Sequence, residues 1–207
     1  MTDPLVLPVG HYMGAFYPAT DAPLKYRKVR LGVDVKQLSE EQFTLWALTH
    51  GMPHQSGRTR WTRAAVRELA RLPRFDEVLD SLVADGLVAE VSPGATAVEF
   101  GRTHRLQPLM MGLGNSPDDP LRFSIGLLGV PPVAKVESFV FELWQWCRLG
   151  HDLMETAELF AKVEQEVNGG QTGAEQLIGD ITEQLHVLLA HNAAYLDTTL
   201  GPATEAG

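Results

Sequence analysis

The chain has 207 residues, of which 44% are apolar, and a formal net charge of −9. This is enough to bury the core of one large domain or two small ones. No stretch reaches the ~20 uncharged apolar residues of a membrane-spanning helix, and no secretory signal pattern is present, so we expect a cytoplasmic protein without a membrane partner.

The charge is divided unevenly along the chain. Residues 1–105 contain 13 Lys and Arg against 12 Asp and Glu, whereas residues 106–207 contain 4 against 14. Because the second half would repel phosphate, only the first half could meet a nucleic acid or another anionic partner. Cys147 is the single cysteine, which excludes an internal disulfide and a CxxC site.

Two segments of the chain resemble each other and indicate an internal duplication. Residues 23–46 and 120–144 both begin with Pro-Leu, contain Leu-Gly-Val, and end with Phe-x-Leu-Trp. With one inserted residue, this alignment pairs Tyr26 with Phe123 and Trp46 with Trp144. In each copy, β-branched and aromatic residues predict a strand or hairpin, and the Trp-containing segment predicts a helix.

The first copy continues with clear helix signals. Ser39 and Gln42 have the spacing of a capping box and predict that the first helix begins there. Apolar residues at intervals of three and four predict a second helix near 61–72 and a third near 75–84, which ends at Gly86. Leu87–Val91 and Ala95–Phe100 flank Ser-Pro-Gly, a pattern that predicts a short hairpin, or wing.

The second copy has the same plan in weaker form. Helices are predicted at 153–166 and 175–190, and Asn192 stands where the first copy has Gly86. Asn tolerates the left-handed conformation of a helix cap better than other non-glycine residues, so this exchange supports the alignment.

These residues resemble the winged-helix superfamily, and in particular the PqqD-type peptide-recognition elements of ribosomal-peptide biosynthesis. The segments that carry the resemblance are Leu31 to Asp34, Phe43 to Trp46 and Phe75 to Val88. The resemblance implies binding of an extended leader peptide as an added strand beside the wing and the third helix. The sequence departs from that family in its doubling and in its longer loop, Met52–Arg60.

We therefore expect an α+β protein of two tandem winged-helix lobes, each with three helices and a small antiparallel sheet. The predicted parts are an N-terminal segment at 1–22, lobe 1 at 23–104, a connector at 105–119, lobe 2 at 120–200 and a tail at 201–207.

A basic cluster is the strongest candidate site for a peptide or protein partner. Arg63, Arg67 and Arg71 are spaced by four and predict one charged stripe along the second helix. Such a stripe could bind acidic side chains or phosphates, or it could be a solvated face or pair with the acidic second half. The predicted partner-binding residues are Arg58, Arg60, Arg63, Arg67, Arg71, Arg74, Leu87, Val88 and Val91.

The alternative function is a DNA-binding transcriptional regulator, with a homodimer through the helix at 175–199 as one form. A helix-turn-helix protein presents polar and basic residues of its third helix to the bases. Here the outward positions of that helix are Asp76, Glu77, Asp80 and Ser81, which oppose binding to a polyanion.

No catalytic, metal or cofactor site is predicted. His50 and His54 lie on either side of Gly51 and Pro53, and neither they nor the pair of His186 and His191 have a further ligand at a supportive spacing. The sequence lacks GxGxxG, GxxxxGK, GxSxG and HExxH motifs. We therefore expect a protein that is not an enzyme and acts by binding.

Overall fold

The computed structural model describes residues 3–199 and has an α+β architecture with two lobes, as predicted. The tail expected at 201–207 lies outside the described residues.

The first unit spans residues 5–91. Its elements in chain order are β1 (Leu5–Pro8), β2 (His11–Phe16), β3 (Tyr26–Leu31), β4 (Asp34–Leu38), α1 (Glu40–Leu48), α2 (Arg63–Ala70), α3 (Phe75–Ala84) and β5 (Val88–Val91). Strands β2, β3 and β4 form an antiparallel sheet, and β1 pairs with β5 in a separate two-stranded ribbon.

The second unit spans residues 104–198 and follows a linking helix, α4 (Ala95–Thr103). Its elements are β6 (His104–Pro108), β7 (Met111–Ser116), β8 (Asp119–Gly126), β9 (Ala134–Val136), α5 (Ser138–Trp146), α6 (Leu153–Asn168), α7 (Ala174–Leu189) and β10 (Ala194–Thr198). Strands β7, β8 and β9 form the sheet, and β6 pairs with β10. The order of elements and their pairing are thus the same in both units.

Local geometry confirms the predicted duplication. Trp46 and Trp144 are both buried, and equivalent backbone hydrogen bonds extend each ribbon, from the Val9 N–H to the Leu87 carbonyl at 2.8 Å and from the Leu109 N–H to the Ala193 carbonyl at 3.0 Å. Gly86 and Asn192 both have a positive φ after a helix, of 72° and 50°. The exchange of Gly for Asn is therefore a conservative replacement in a left-handed cap.

The strand register corrects the alignment of the two copies by one residue. Val29 is opposite Lys36 and Ile125 is opposite Ala134, and both aliphatic side chains are fully buried. Val29 therefore corresponds to Ile125, so that Tyr26 corresponds to Arg122 and not to Phe123. One residue decides which face of a strand a side chain occupies, and burial fixes that choice more strictly than residue type.

The predicted boundaries and the predicted wing both need correction. The N-terminal segment supplies β1 and β2, and the connector supplies β6 and β7, so each belongs to a unit. Ala95–Phe100 lies in α4 and is not a strand. Gly94, with a φ of 89°, redirects the chain after β5, and Ala97 and Phe100 then bury one helical face in the second unit's core. The strand that pairs with β5 is β1.

The second helix is shorter than predicted. It begins after the N-cap Thr62 and ends at Arg71, which has a left-handed φ of 47°. Trp61 precedes the helix, and its carbonyl accepts a hydrogen bond from the Val6 N–H at 2.9 Å. Its indole N–H donates to the Leu48 carbonyl at 2.8 Å, so the buried ring lies at the end of α1 and not on a face of α2.

The ribbon of β1 and β5 lies between the two cores. Leu5 and Leu7 pack in the core of the second unit, whereas Val6 packs in the core of the first. Successive side chains of a strand point to opposite faces, so a strand buried on both faces supplies both cores.

A buried carboxylate joins the second unit to the first. Asp197 on β10 has no exposed surface, and its oxygens accept from the Arg30 guanidinium at 2.9 Å and from the Gly32 N–H at 2.7 Å. Arg105 on β6 adds a second ion pair at 3.5 Å. A buried charge is tolerated when it is paired and hydrogen-bonded in this way.

Replacing Asp197 by Ala should lower the free energy of unfolding by about 3 kcal/mol, because two partly buried guanidinium groups would lose their counter-charge. Urea unfolding followed by circular dichroism measures this. Glu40→Ala is the control, since it removes an exposed ion pair with Arg27 and should cost less than about 0.5 kcal/mol. Equal stability of Asp197→Ala and wild type would contradict this role.

His186 predicts a pH dependence of stability. Its Nε2 lies 3.0 Å from the Val6 carbonyl, and burial lowers its pKa from 6.5 to about 4, although the backbone hydrogen bonds oppose that shift. The unfolded chain therefore takes up this proton near pH 6.5, while the folded chain does so only near pH 4. Stability should be highest above the unfolded pKa and fall as the pH decreases between these values.

We expect this histidine to account for a loss of about 2 kcal/mol between about pH 7.5 and about pH 5. Urea unfolding of wild type and His186→Gln at several pH values isolates the contribution, since carboxylates titrate in both proteins. Identical pH profiles would exclude it.

Candidate functional site

Most of the predicted arginine cluster is neutralised by neighbouring carboxylates. Arg63 is the centre of this network: its guanidinium contacts Glu90 at 2.9 Å, Asp80 at 2.7 Å and Asp76 at 3.2 Å. The hydrogen bond to Glu90 is the main reason that the pKa of Arg63 lies above its usual range. Arg63 therefore joins α2, α3 and β5 and is not free to bind a partner's acid.

The other arginines of the cluster divide into paired and unpaired groups. Arg67 pairs with Asp76 and lies over the Phe75 ring, Arg74 pairs with Glu77, and Arg60 pairs with Glu183 of the second unit at 2.6 Å. The hydrogen bond from Arg67 also lowers the pKa of Asp76. Pairing with the acidic second half, one of the expected alternatives, thus applies to Arg60, while the rest of the pairing occurs within the first unit.

Arg58 and Arg71 form no ion pair within residues 3–199. Because Arg71 ends α2 in a left-handed conformation, it does not continue the helical stripe of Arg63 and Arg67, and that part of the prediction is wrong.

The predicted strand site is enclosed by the protein itself. Leu87, Val88 and Val91 are 1%, 2% and 2% exposed. The neighbouring strand position is occupied by β1, with Leu7 opposite Ala89. Leu87 and Val88 therefore belong to the core of the first unit and Val91 to that of the second, and none of the three offers a surface to a partner.

A groove in the second unit is a candidate site that sequence analysis missed. It lies between α5, α6 and α7 and has a volume of about 1000 Å³. Trp146, Val163 and Val167 are 45%, 49% and 74% exposed, which is unusual for neighbouring apolar residues. The residues lining the groove are Phe139, Glu142, Trp146, Leu149, Leu159, Phe160, Val163, Glu164, Val167, Thr172, Gln176, Leu177, Asp180, Glu183 and Gln184.

The charged residues that line this groove are all acidic. Glu142, Asp180 and Glu183 are among them, and the lining, all of which falls in the described part of the chain, contains no Lys or Arg. Glu183 is paired with Arg60, so part of this charge is compensated. The groove is thus an apolar trough with an excess of negative charge at its rim.

The corresponding place on the first unit is small and polar. It has a volume of about 230 Å³ and is lined by Glu41, Arg74 and Glu77 among others. With the Trp46–Trp144 and Gly86–Asn192 correspondences, Phe139 replaces Glu41 and Asp180 replaces Arg74. The apolar groove is therefore not a requirement of the fold but a property of the second unit.

One sequence signal could have revealed the groove. The helix α5 is apolar almost all round, a pattern that is also typical of a central, fully buried helix. Its second apolar face, with Phe139 and Trp146 seven residues apart, lines the groove. Val163 and Val167 lie four residues, or about one turn, apart on the polar C-terminal part of α6.

The structure offers little for metal or thiol chemistry. Within residues 3–199, no group of three His, Cys, Asp or Glu residues could hold a metal ion. Cys147 is buried, and burial raises the pKa of its thiol to about 12, which disfavours the reactive thiolate. Over the same residues, every helix is too short or too polar to cross a bilayer.

Comparison with protein-family models, with curated proteins and with solved structures finds no match to this chain.

Replacing Arg63 by Glu should destabilise the first unit by about 2 kcal/mol, because a fourth carboxylate would replace the cation among Asp76, Asp80 and Glu90. The matched control is Arg58→Glu, for which we expect a change within about 0.5 kcal/mol. Urea unfolding measures both. Charge reversal at Arg63 disturbs ion pairs within the protein. Binding of a partner by the arginine cluster is therefore tested with substitutions of Arg58 and Arg71, which have no ion pair in the described part of the chain.

Proposed function

We propose that the chain is a non-catalytic recognition protein that binds a helical segment of a partner protein in the groove between α5, α6 and α7. The single observation that carries the proposal is the exposed apolar groove of about 1000 Å³, which the duplicated first unit lacks. A helix presenting residues at intervals of three and four is the usual occupant of such a trough between helices.

The charge at the rim defines the partner's chemistry. Since the lining carries acidic residues and residues 106–207 contain 14 Asp and Glu against 4 Lys and Arg, a cationic segment would be attracted and an anionic one repelled. The occupant we propose is therefore an amphipathic helix with an apolar face and flanking Lys or Arg residues.

This proposal keeps the predicted class of function but moves the site. Addition of an extended peptide beside β5 has less support, because β1 pairs with that strand and Leu87, Val88 and Val91 are buried. The DNA-binding alternative has less support as well, because Asp76, Asp80 and Glu77 already pair with the arginines of the first unit. A winged-helix origin remains a prediction, and a cytoplasmic location is part of the proposal.

A designed peptide of Leu and Lys at helical spacing tests the proposal. The full chain should bind it and change the fluorescence of Trp146, the most exposed of the tryptophans. Val163→Glu with Val167→Glu should weaken binding about tenfold or more, which corresponds to about 1.4 kcal/mol. Val163 is about half exposed and Val167 more so, and the variant should therefore remain folded.

The control is Leu121→Glu with Leu128→Glu, which adds the same charge at exposed apolar residues outside the groove. If attraction of a cationic peptide to an acidic protein explained binding, both variants would bind at least as well as wild type. Titration calorimetry distinguishes the two cases. Equal affinity of wild type and the groove variant would refute the site. A homodimer that the groove variant dissociates would show a second copy to be the occupant instead.

A further inference from the structure

The sheet of β2, β3 and β4 presents a second surface, which we call the aromatic platform. It consists of the outward-facing residues His11, Gly14, Phe16, Tyr26, Lys28 and Arg30, whose register places them on the side opposite the buried Val29. Clusters of exposed aromatic residues on one face of a sheet often mark a binding surface. Planar groups such as nucleic-acid bases stack on such side chains.

One end of the platform is a stacked aromatic pair. Phe16 and Tyr26 lie opposite each other in the sheet, with ring centroids 4.9 Å apart and planes inclined by 14°. The Lys28 ammonium lies 5.5 Å from the Phe16 centroid and 5.7 Å from that of Tyr26. The Lys28 ammonium group thus makes cation–π contacts with both aromatic rings.

The other end combines a cation with two further rings. His11 packs against Tyr195 at 4.5 Å, and the Arg30 guanidinium lies 5.7 Å from the Tyr195 centroid. Between the two ends, Gly14 is opposite Lys28, and the space where a Cβ would lie is open. The two ends are separated by four residues of β3, about 13 Å along the strand.

The sheet itself contributes no negative side chain to the platform. The outward residues of this sheet, all within the described part of the chain, are those of the platform with Val35 and Gln37, and none is Asp or Glu. Arg30 is neutralised by Asp197. Lys28 has no ion pair within residues 3–199, and exposed Lys25 lies next to Phe16, whose carbonyl accepts from its N–H at 3.0 Å.

The second unit shows that the fold does not require these residues. From the correspondence of Val29 with Ile125, Tyr26, Lys28 and Arg30 are replaced by Arg122, Ser124 and Gly126. The inward residue stays aliphatic, while the outward positions lose the aromatic ring of Tyr26 and the cationic groups of Lys28 and Arg30. The platform is therefore specific to the first unit, which is also the less acidic half of the chain.

We infer that the aromatic platform binds single-stranded nucleic acid, with bases stacked on Phe16 and Tyr26 and phosphates near Lys28 and Lys25. Unpaired bases expose the faces that stack on aromatic side chains, and lysines beside them meet the backbone. A duplex hides those faces, which is why the single strand is the favoured form. This site is separate from the proposed groove and on the opposite unit.

Fluorescence anisotropy with a labelled oligouridylate of about twelve nucleotides, at low salt, tests the inference. Phe16→Ala should weaken binding about tenfold, whereas Phe16→Tyr should retain it. Lys28→Ala should weaken binding and reduce the dependence of log affinity on log salt by about one. Circular dichroism checks the fold of each variant.

Two controls separate the platform from general charge effects. Arg122→Ala, at the position corresponding to Tyr26, and the groove variant Val163→Glu with Val167→Glu should both bind the oligonucleotide like wild type. Absence of binding at low salt would overturn the inference. Equal affinity of Phe16→Ala and wild type would also overturn it, and stronger binding of the matching RNA duplex would overturn it in favour of a double-stranded ligand.

Discussion

The burial of one short strand on both of its faces is the constraint on which the rest of the structure depends. Leu5 and Leu7 of β1 enter the second unit's core, and Val6 between them enters the first. Each fully buried aliphatic side chain contributes about 1.5–3 kcal/mol, so the strand stabilises both units together. This shared strand, with the Asp197 ion pairs and the His186 hydrogen bond, makes the two lobes a single packed body.

The duplication could be predicted because its signals lie close together in the sequence. Phe-x-Leu-Trp and the Gly86–Asn192 exchange follow rules that involve only residues within about one helical turn. The partner of β5 could not be predicted in this way, since Leu5 and Val91 meet across most of a unit and no local pattern records the pairing. The Ser-Pro-Gly sequence predicted a hairpin. The residues after it form α4 instead, because Phe100 packs in the core of the second unit.

The same limit applies to the sites. A count of arginines identified the cluster but not the carboxylates that neutralise it, because Arg63 meets Asp80 and Glu90 only after α2, α3 and β5 have packed. The groove also needs three helices at once, and the platform needs the register of three strands. In both cases comparison of the two units is informative: the positions that differ between the copies, such as Phe139 and Lys28, are those that the fold itself leaves free.

The ribbons also determine when the protein can fold during synthesis. In each unit the ribbon joins the first strand to the last, Leu5 to Val91 and His104 to Thr198. At ~5–20 residues per second, β1 remains unpaired for roughly 4–17 seconds before β5 leaves the ribosome. Throughout that interval Leu5, Val6 and Leu7 are exposed to chaperones and to other nascent chains. The core of the first unit is complete only after β5 has been synthesised and has paired with β1.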